Sequence, residues 1–306
     1  MHCMEWYPVL SLMSFDLFTN LTHDKPKIMI AHSQSGLERE YVLIASTQDL
    51  AGTTMINYLR NSMAFTYRAG ESLISKRYRN VKLNVHDGSL LHFESLDEIY
   101  PDASCFIFLS KHRSDSGIPT LTCHCTGNFE DNLYGGNPKE VAIAYPSLQK
   151  SYLRAITAAK QRVPEYDIVI EATHHGPTSL KKPVLFVELG SSLRHWSDSN
   201  AAETICNSLL RLLDNGIPCC HKVGVALGGT HYSTKLTRLL LDSDFGLAAT
   251  ASKHNLEAID EDMLTQMIAK SIEPVTHIVI DTKGLGSQKE RIMKMAEKTT
   301  LEIYKL

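Results

Sequence analysis

Three near-continuous apolar runs mark the second half of the chain: YDIVIEA (166–172), PVLFVEL (183–189) and KVGVALGG (222–229). Apolar stretches without alternation suit strands covered on both faces, as in a sheet with helices on either side. Between the second and third lies NAAETICNSLLRLLDN (200–215), apolar at helical spacing, with Asn200 placed to cap it and Asn215-Gly216 to end it. Earlier, EYVLIAS (40–46) and ASCFIFLS (103–110) read as buried strands, DLAGTTMINYLRN (49–61) as a helix, and TLTCHCTGN (120–128) as a short strand closed by a turn. VKLNVHDGSLLHF (81–93) alternates around Asp87-Gly88, which predicts a hairpin. YPSLQKSYLRAITAAKQRV (145–163) has Leu153, Ile156 and Ala159 at helical spacing. After Gly229 the pattern predicts two or three helices, the strand HIVID (277–281) and a helix rich in Lys and Glu. Strand–helix alternation with no linker predicts one α/β domain over residues 39–306, with a mixed, largely parallel sheet flanked by helices.

Residues 1–38 read as an N-terminal extension of no assigned role. Their apolar start lacks a basic region and carries Glu5 and Asp16, unlike a signal peptide. The 306 residues are 43% hydrophobic and 21% charged, an ordinary globular balance. A net charge of −3 excludes a protein that coats nucleic acid non-specifically, but leaves room for a local basic groove. No apolar run reaches the ~18 residues of a spanning helix. Neither DNA nor a membrane is therefore an expected partner. Seven cysteines without a repeated CxxC spacing suggest free thiols in a reducing, cytoplasmic protein, taken to be a monomer.

Each of the three runs ends in reactive residue types. The first gives Glu171, His174, His175, Gly176 and Thr178, the second Glu188, Gly190, Ser191 and Ser192, and the third Gly228, Gly229, Thr230, His231 and Tyr232. The carboxyl ends of strands line the ligand crevice in open α/β sheets, so parallel neighbours would bring these residues into one pocket. SKHRSDSGIPTLTCHCTGNF (110–129) offers a fourth wall. An extended Cys123-His124-Cys125 would point its cysteines to one face and His124 to the other, so the triplet cannot hold one ion. His124, alone or with His112, remains a candidate. Each residue has a plainer reading: the histidine pair as a hydrogen-bonded turn, His231 as a helix cap, Glu188 as an ion-pair partner, Lys181-Lys182 as solvated surface. Coincidence at three successive strand ends favours a site.

No GxSxG elbow, GxxxxGK[ST] loop or GxGxxG turn is present. Histidines with a glutamate can bind zinc with an open position, which lowers the pKa of bound water to about 7. Without metal, a histidine could act as general base while N–H groups of Gly228-Gly229 hold an oxyanion. Both chemistries hydrolyse an activated acyl bond.

EATHHGPT, VELGSS, GGTHYS, LTCHCTGN and DTKGLGSQKERI resemble the archaeal and plant type of D-aminoacyl-tRNA deacylase, in order, over roughly residues 40–300. The resemblance implies hydrolysis of the ester between a D-amino acid and the terminal ribose of tRNA. It also implies a fold similar to peptidyl-tRNA hydrolase and nucleoside phosphorylase-like folds, and zinc, with two ions per subunit. Its motifs land on Glu171, His174, His175, Gly176, Thr178, Glu188, His124, Gly229, His231 and Tyr232. On that basis His174, His175, Thr178 and His231 are expected to be catalytic. His174, His175, Glu188 and His231 are the expected zinc ligands, with Glu171 a further one. Gly176, Gly228, Gly229, Tyr232 and His124, with Lys283 and Lys289, are expected substrate or tRNA contacts. The turn glycines suggest close backbone approach to the substrate, so Gly229→Ala is expected to impair D-aminoacyl-tRNA hydrolysis. The basic stretches are 75–82 and 283–298. The competing readings are a zinc amidohydrolase or peptidase acting on small acyl substrates, and a tRNA-binding module without catalysis.

Overall fold

The structure, a computed structural model, describes residues 39–62, 65–66, 73–75 and 77–306. These fall within one compact unit, Gly36–Leu306. The expectations for residues 1–38, and for Lys76 in the basic stretch, lie outside the described residues.

The larger sheet is built from β1 (Tyr41–Ser46), β2 (Phe65–Thr66), β3 (Leu73–Ser75), β4 (Val81–His86), β5 (Cys105–Arg113) and β6 (Thr120–His124). A two-stranded ribbon, β7 (Gly127–Asn128) and β8 (Glu140–Val141), stands apart; β9 (Asp167–Ile170) and β10 (Val184–Ser191) complete the larger sheet. Its order is β2-β3-β4-β1-β5-β10-β6-β9. Its central strands β4, β1, β5 and β10 are parallel, and β6 runs antiparallel to β10 and parallel to β9. A second, all-parallel sheet has the order β12-β11-β13-β14, from β11 (Lys222–Leu227), β12 (Phe245–Ala251), β13 (His277–Ile280) and β14 (Glu302–Lys305). The helices are α1 (Leu50–Asn61), α2 (Leu96–Ile99), α3 (Pro146–Ala158), α4 (Leu193–Trp196), α5 (Ser199–Asn215), α6 (Thr234–Asp242), α7 (Glu261–Ala269) and α8 (Lys289–Glu297).

The pleat explains the layering. On one face Leu43, Ile107, Leu185, Val187 and Leu121 join a core with Met55 of α1, Leu148 and Tyr152 of α3, and Ile205 and Leu209 of α5. On the other face Val42, Ile44, Phe106, Phe108, Val184 and Phe186 pack against Leu90, Phe93 and Leu96. The smaller sheet packs with Met263 and Met267 of α7 and Ile292 of α8.

Helix ends follow local chemistry. Asp49 accepts from Gly52 N at 2.9 Å to start α1, and Pro146 occupies the first turn of α3. α5 is capped by Asp198, not Asn200, and ends at Gly216 with φ +83°.

Three more expectations change. Asp87-Gly88 makes no hairpin: β4 pairs in parallel with β1, and the chain beyond turns into a short 3-10 segment that buries Leu90. His86 stacks on Phe93 there, with ring centroids 3.8 Å apart. The three apolar runs are not parallel neighbours, because β6 separates β9 from β10 and β11 belongs to the other sheet. β12, FGLAATA, was missed, since small residues carry almost no strand signal.

Candidate active site

Register decides which side chains meet. Glu188 on β10 lies opposite Ser110 on β5 and Thr122 on β6, Gly190 opposite His112 and Thr120, and Phe186 opposite His124. Thr122 in turn lies opposite Val169 on β9. Residues opposite one another share a face of the pleat, so His112, Glu188, Thr122, His124 and Val169 project to one side. That side is the continuation of the Phe106–Phe108–Phe186 surface, where apolar residues give way to imidazoles and carboxylates. Cys123 points the other way, into the helix-covered core, as the alternation required.

The cluster is buried and tightly charged. His112 sits between two carboxylates, with Nδ1 3.0 Å from Glu171 Oε1 and 3.6 Å from Glu188 Oε2. Burial works against its protonation, but Glu171 and Glu188 outweigh that and hold its pKa at about 9. The approach to Glu171 is close without being aligned as a hydrogen bond, so Oε1 is a buried oxygen with no donor. Burial likewise opposes ionisation of Glu171, yet His112 and His231 hold its carboxyl well below the ordinary value. Burial and the neighbouring His124 charge hold the His174 imidazole well below its ordinary range, and move His175 down to about 4.

Three imidazoles are fixed in the same way. Nδ1 of His124 faces Cys125 O at 3.1 Å, that of His174 faces Ala172 O at 2.8 Å, and that of His175 faces Gly176 O at 2.7 Å. A carbonyl partner places a proton on Nδ1, which leaves the Nε2 lone pair free in His174 and His175, the two held neutral. His124 Nε2 has no hydrogen-bond partner and is buried. His175 adopts φ +46°, a conformation side chains rarely take, and its own carbonyl accepts from Gly127 N at 2.8 Å.

The smaller sheet supplies the remaining wall. Leaving β11, the chain bridges Glu171 to Tyr232, and Ala172 N donates to His231 O at 2.8 Å. His231 Nε2 thereby reaches Glu171 Oε2 at 3.0 Å, and Tyr232 stands edge-on to both His112 and His231. A cleft of about 450 Å³ opens over the cluster, with Asp49, Lys111 and Arg113 on its margin.

A profile of the D-aminoacyl-tRNA deacylase family matches residues 99–304. A D-aminoacyl-tRNA deacylase of Cenarchaeum symbiosum is 32% identical over 269 residues, covering 86% of this chain and 98% of its own. That of Methanosarcina mazei is 32% identical over 278 residues, covering 86% and 91%. The chain belongs to the D-aminoacyl-tRNA deacylase family. The crystal structure of a conserved protein of unknown function superposes with a TM-score of 0.79 at 27% identity, over 87% of this chain and 95% of that one.

In this member of the deacylase family the structure brings together His124, His174, His175, His231, Glu171, Glu188 and Tyr232, from two sheets. It keeps others apart. Thr178 is fully buried, and its hydroxyl donates to Glu140 Oε2 at 2.9 Å while accepting from Asn137 N at 2.8 Å. Gly176 is pressed against the loop below: an added Cβ would lie 2.2 Å from Gly136 N and 2.5 Å from Leu91 O. Gly228 N–H is committed to Ala251 O at 2.9 Å, which removes it as an oxyanion donor. Gly228 and Gly229 have φ of +96° and +86° and pack beside Asp281, outside the lining of the cleft. Lys283 and Lys289 are exposed and do not line it either.

Sequence reasoning named His112 only as an adjunct of His124 and did not single out Asp49, Lys111 or Arg113. The signal for the last two was the run SKHR, whose strand continues to Arg113.

The deacylase donor set fits a metal ion. One atom each from His124, His174 and His175 lie within 4.8 Å of one another, as do atoms of Glu171, His174 and His231, and of His112, Glu171 and Glu188. The first group contains the donorless His124 Nε2, which a cation would satisfy, whereas the second meets Glu171 through Oε2, which already faces His231 Nε2 at 3.0 Å. The third is already charge-compensated by His112. The first group is thus the better cation site.

Proposed function

We propose that residues 39–306 form a deacylase domain that hydrolyses the ester of D-aminoacyl-tRNA, releasing free D-amino acid and tRNA. The observation that supports this most is the set of three imidazoles held through Nδ1, with one ring atom of each within 4.8 Å of the others and with His174 and His175 lining a cleft edged by Lys111 and Arg113. Zinc bound by His124, His174 and His175 would supply Lewis-acid activation of water.

The chain's own residues have distinct parts. Lys111 and Arg113 meet the RNA terminus. Glu171 orients His231, which takes the proton of the attacking water and returns it to the ribose oxygen as the ester C–O bond breaks. Glu188, 3.7 Å from His124 Nε2, and His112 hold the charge balance around the imidazoles.

A cytoplasmic monomer belongs to the same proposal. Among the described residues Cys105, Cys123, Cys125, Cys206, Cys219 and Cys220 are free, and no helix is long and apolar enough to cross a membrane.

The test is deacylation of D-tyrosyl-tRNA and L-tyrosyl-tRNA with and without chelator. The D-ester should be cleaved and the L-ester spared, chelation should abolish turnover, and zinc should restore it. Cleavage of N-acyl amino acids without RNA would favour the amidohydrolase reading. Binding of aminoacyl-tRNA with the ester left intact would favour a non-catalytic module.

A further inference from the structure

The sheet face that carries Glu171 and Glu188 does not stop at the cleft. One pleat before Glu171, Val169 occupies the same face, about 6.6 Å away along the strand. A second recess of about 290 Å³ lies there, with Val169, Ile168 and Ile118 as apolar lining. Ser114, Ser116 and Thr120 set hydroxyls around it, and exposed Asp167 marks its outer edge. It shares two residues with the reaction cleft, His112 and Tyr232, which form the wall between them. Tyr232 is 36% exposed, so its part of the wall is a side chain at the surface, while His112 is buried at 3%.

The two cavities differ in the chemistry they would accept. The larger one is lined by Lys111, Arg113, Ser46 and Ser89, which suits ribose and phosphate. The smaller one has an apolar floor and hydroxyls that are largely paired among themselves: Ser114 Oγ and Ser116 Oγ are 2.9 Å apart, and Thr120 Oγ1 donates to Ile118 O at 2.9 Å. Such a recess suits a carbon side chain that ends in at most one polar group. An aminoacyl ester has these two ends. Its side chain leaves the carbon next to the reacting carbonyl, so a carbonyl held near Glu171 and His231 places that side chain within one pleat.

Resting on the deacylase reading, we propose that the recess behind Tyr232 is the side-chain subsite, taking neutral apolar or aromatic side chains, with Ile118 and Val169 setting their size. Half-exposed Ile118 can be changed without opening the core. Ile118→Trp fills the recess, and Thr234→Trp does so from the first turn of α6. The experiment compares kcat/KM on D-tyrosyl-tRNA and D-alanyl-tRNA for the full chain. Filling should lower the tyrosyl-to-alanyl ratio by roughly tenfold or more, as expected when an overfilled site must repack. A Lys111→Ala, Arg113→Ala double variant should weaken both substrates alike and leave the ratio near that of the wild type. An unchanged ratio in both tryptophan variants overturns the assignment. Should the wild type cleave neither ester, the deacylase reading goes first and the subsite with it.

Discussion

His231 Nε2 and Glu171 Oε2 stand 3.0 Å apart, although one follows a strand of the smaller sheet and the other ends a strand of the larger. Glu171 is 2% exposed and fixed by the backbone bond from its N to Cys123 O at 3.2 Å. The His231 side chain is 34% exposed and open to the cleft. A rigid carboxylate with a reachable imidazole is the arrangement that proton transfer requires.

His231→Ala should therefore lower kcat on D-tyrosyl-tRNA by about 10²–10⁴-fold. Removal of the side chain also takes a partner from buried Glu171, which keeps His112, so the variant should lose some stability and still fold. Urea titration of the variant beside the wild type checks the second half, and near-normal turnover would take His231 out of the proton path.

Loss of metal should separate the imidazoles from the rest of the site. His124→Ala and His174→Ala should each reduce the zinc retained after dialysis, read by elemental analysis and independent of activity. Full zinc content in both variants would disprove the three-histidine site.

Thr178 should behave as a structural residue. Thr178→Val removes the hydroxyl shared by Glu140 and Asn137 and should cost about 1–3 kcal/mol in unfolding free energy, the usual result of orphaning buried polar groups. Thr178→Ser should recover most of it. A folded Thr178→Val protein with its chemistry abolished would return Thr178 to the catalytic set.

Gly229→Ala should also act on stability. At φ +86° an alanine costs about 1–2 kcal/mol, and its Cβ would lie 3.4 Å from Asp281 Oδ2. Discrimination between D- and L-esters should survive below the melting transition. Lost discrimination with unchanged stability would restore the expectation that this glycine contacts substrate.

The Glu140–Lys270 pair predicts a pH dependence. Burial opposes ionisation of Glu140, but hydrogen bonds from Lys270, Asn137 and Thr178 outweigh it and lower its pKa from the ordinary 4.5. A lowered folded value means the unfolded chain takes up the proton first. The contribution is thus fully present above pH 4.5 and is lost as the pH falls through the folded value. The stability gap between wild type and Glu140→Gln should accordingly shrink between pH 6 and the acid limit. A gap that widens on acidification would contradict the assignment.

EATHHGPT, the apolar run ending at Glu188 and the glycine pair before His231 were enough to name the reactive residues, because hydrophobic runs and local motifs are properties of neighbouring positions. The orientation of Cys123 and His124 was also legible, since alternation along an extended chain needs no partner strand. What sequence could not decide was adjacency. Glu188 meets His112 and His124 because β10 takes its place between β5 and β6 in one particular register, and a shift of one residue would turn Glu188 into the helix-packed core. Thr178 and Gly229 looked like site residues because they sit beside histidines in the chain. Tertiary packing turned Thr178 toward Glu140 and Gly229 toward Asp281, since a buried hydroxyl must find its partners and a positive φ must be taken by glycine. Local chemistry chose the reactive groups of this protein, and long-range strand register chose which of them face one another.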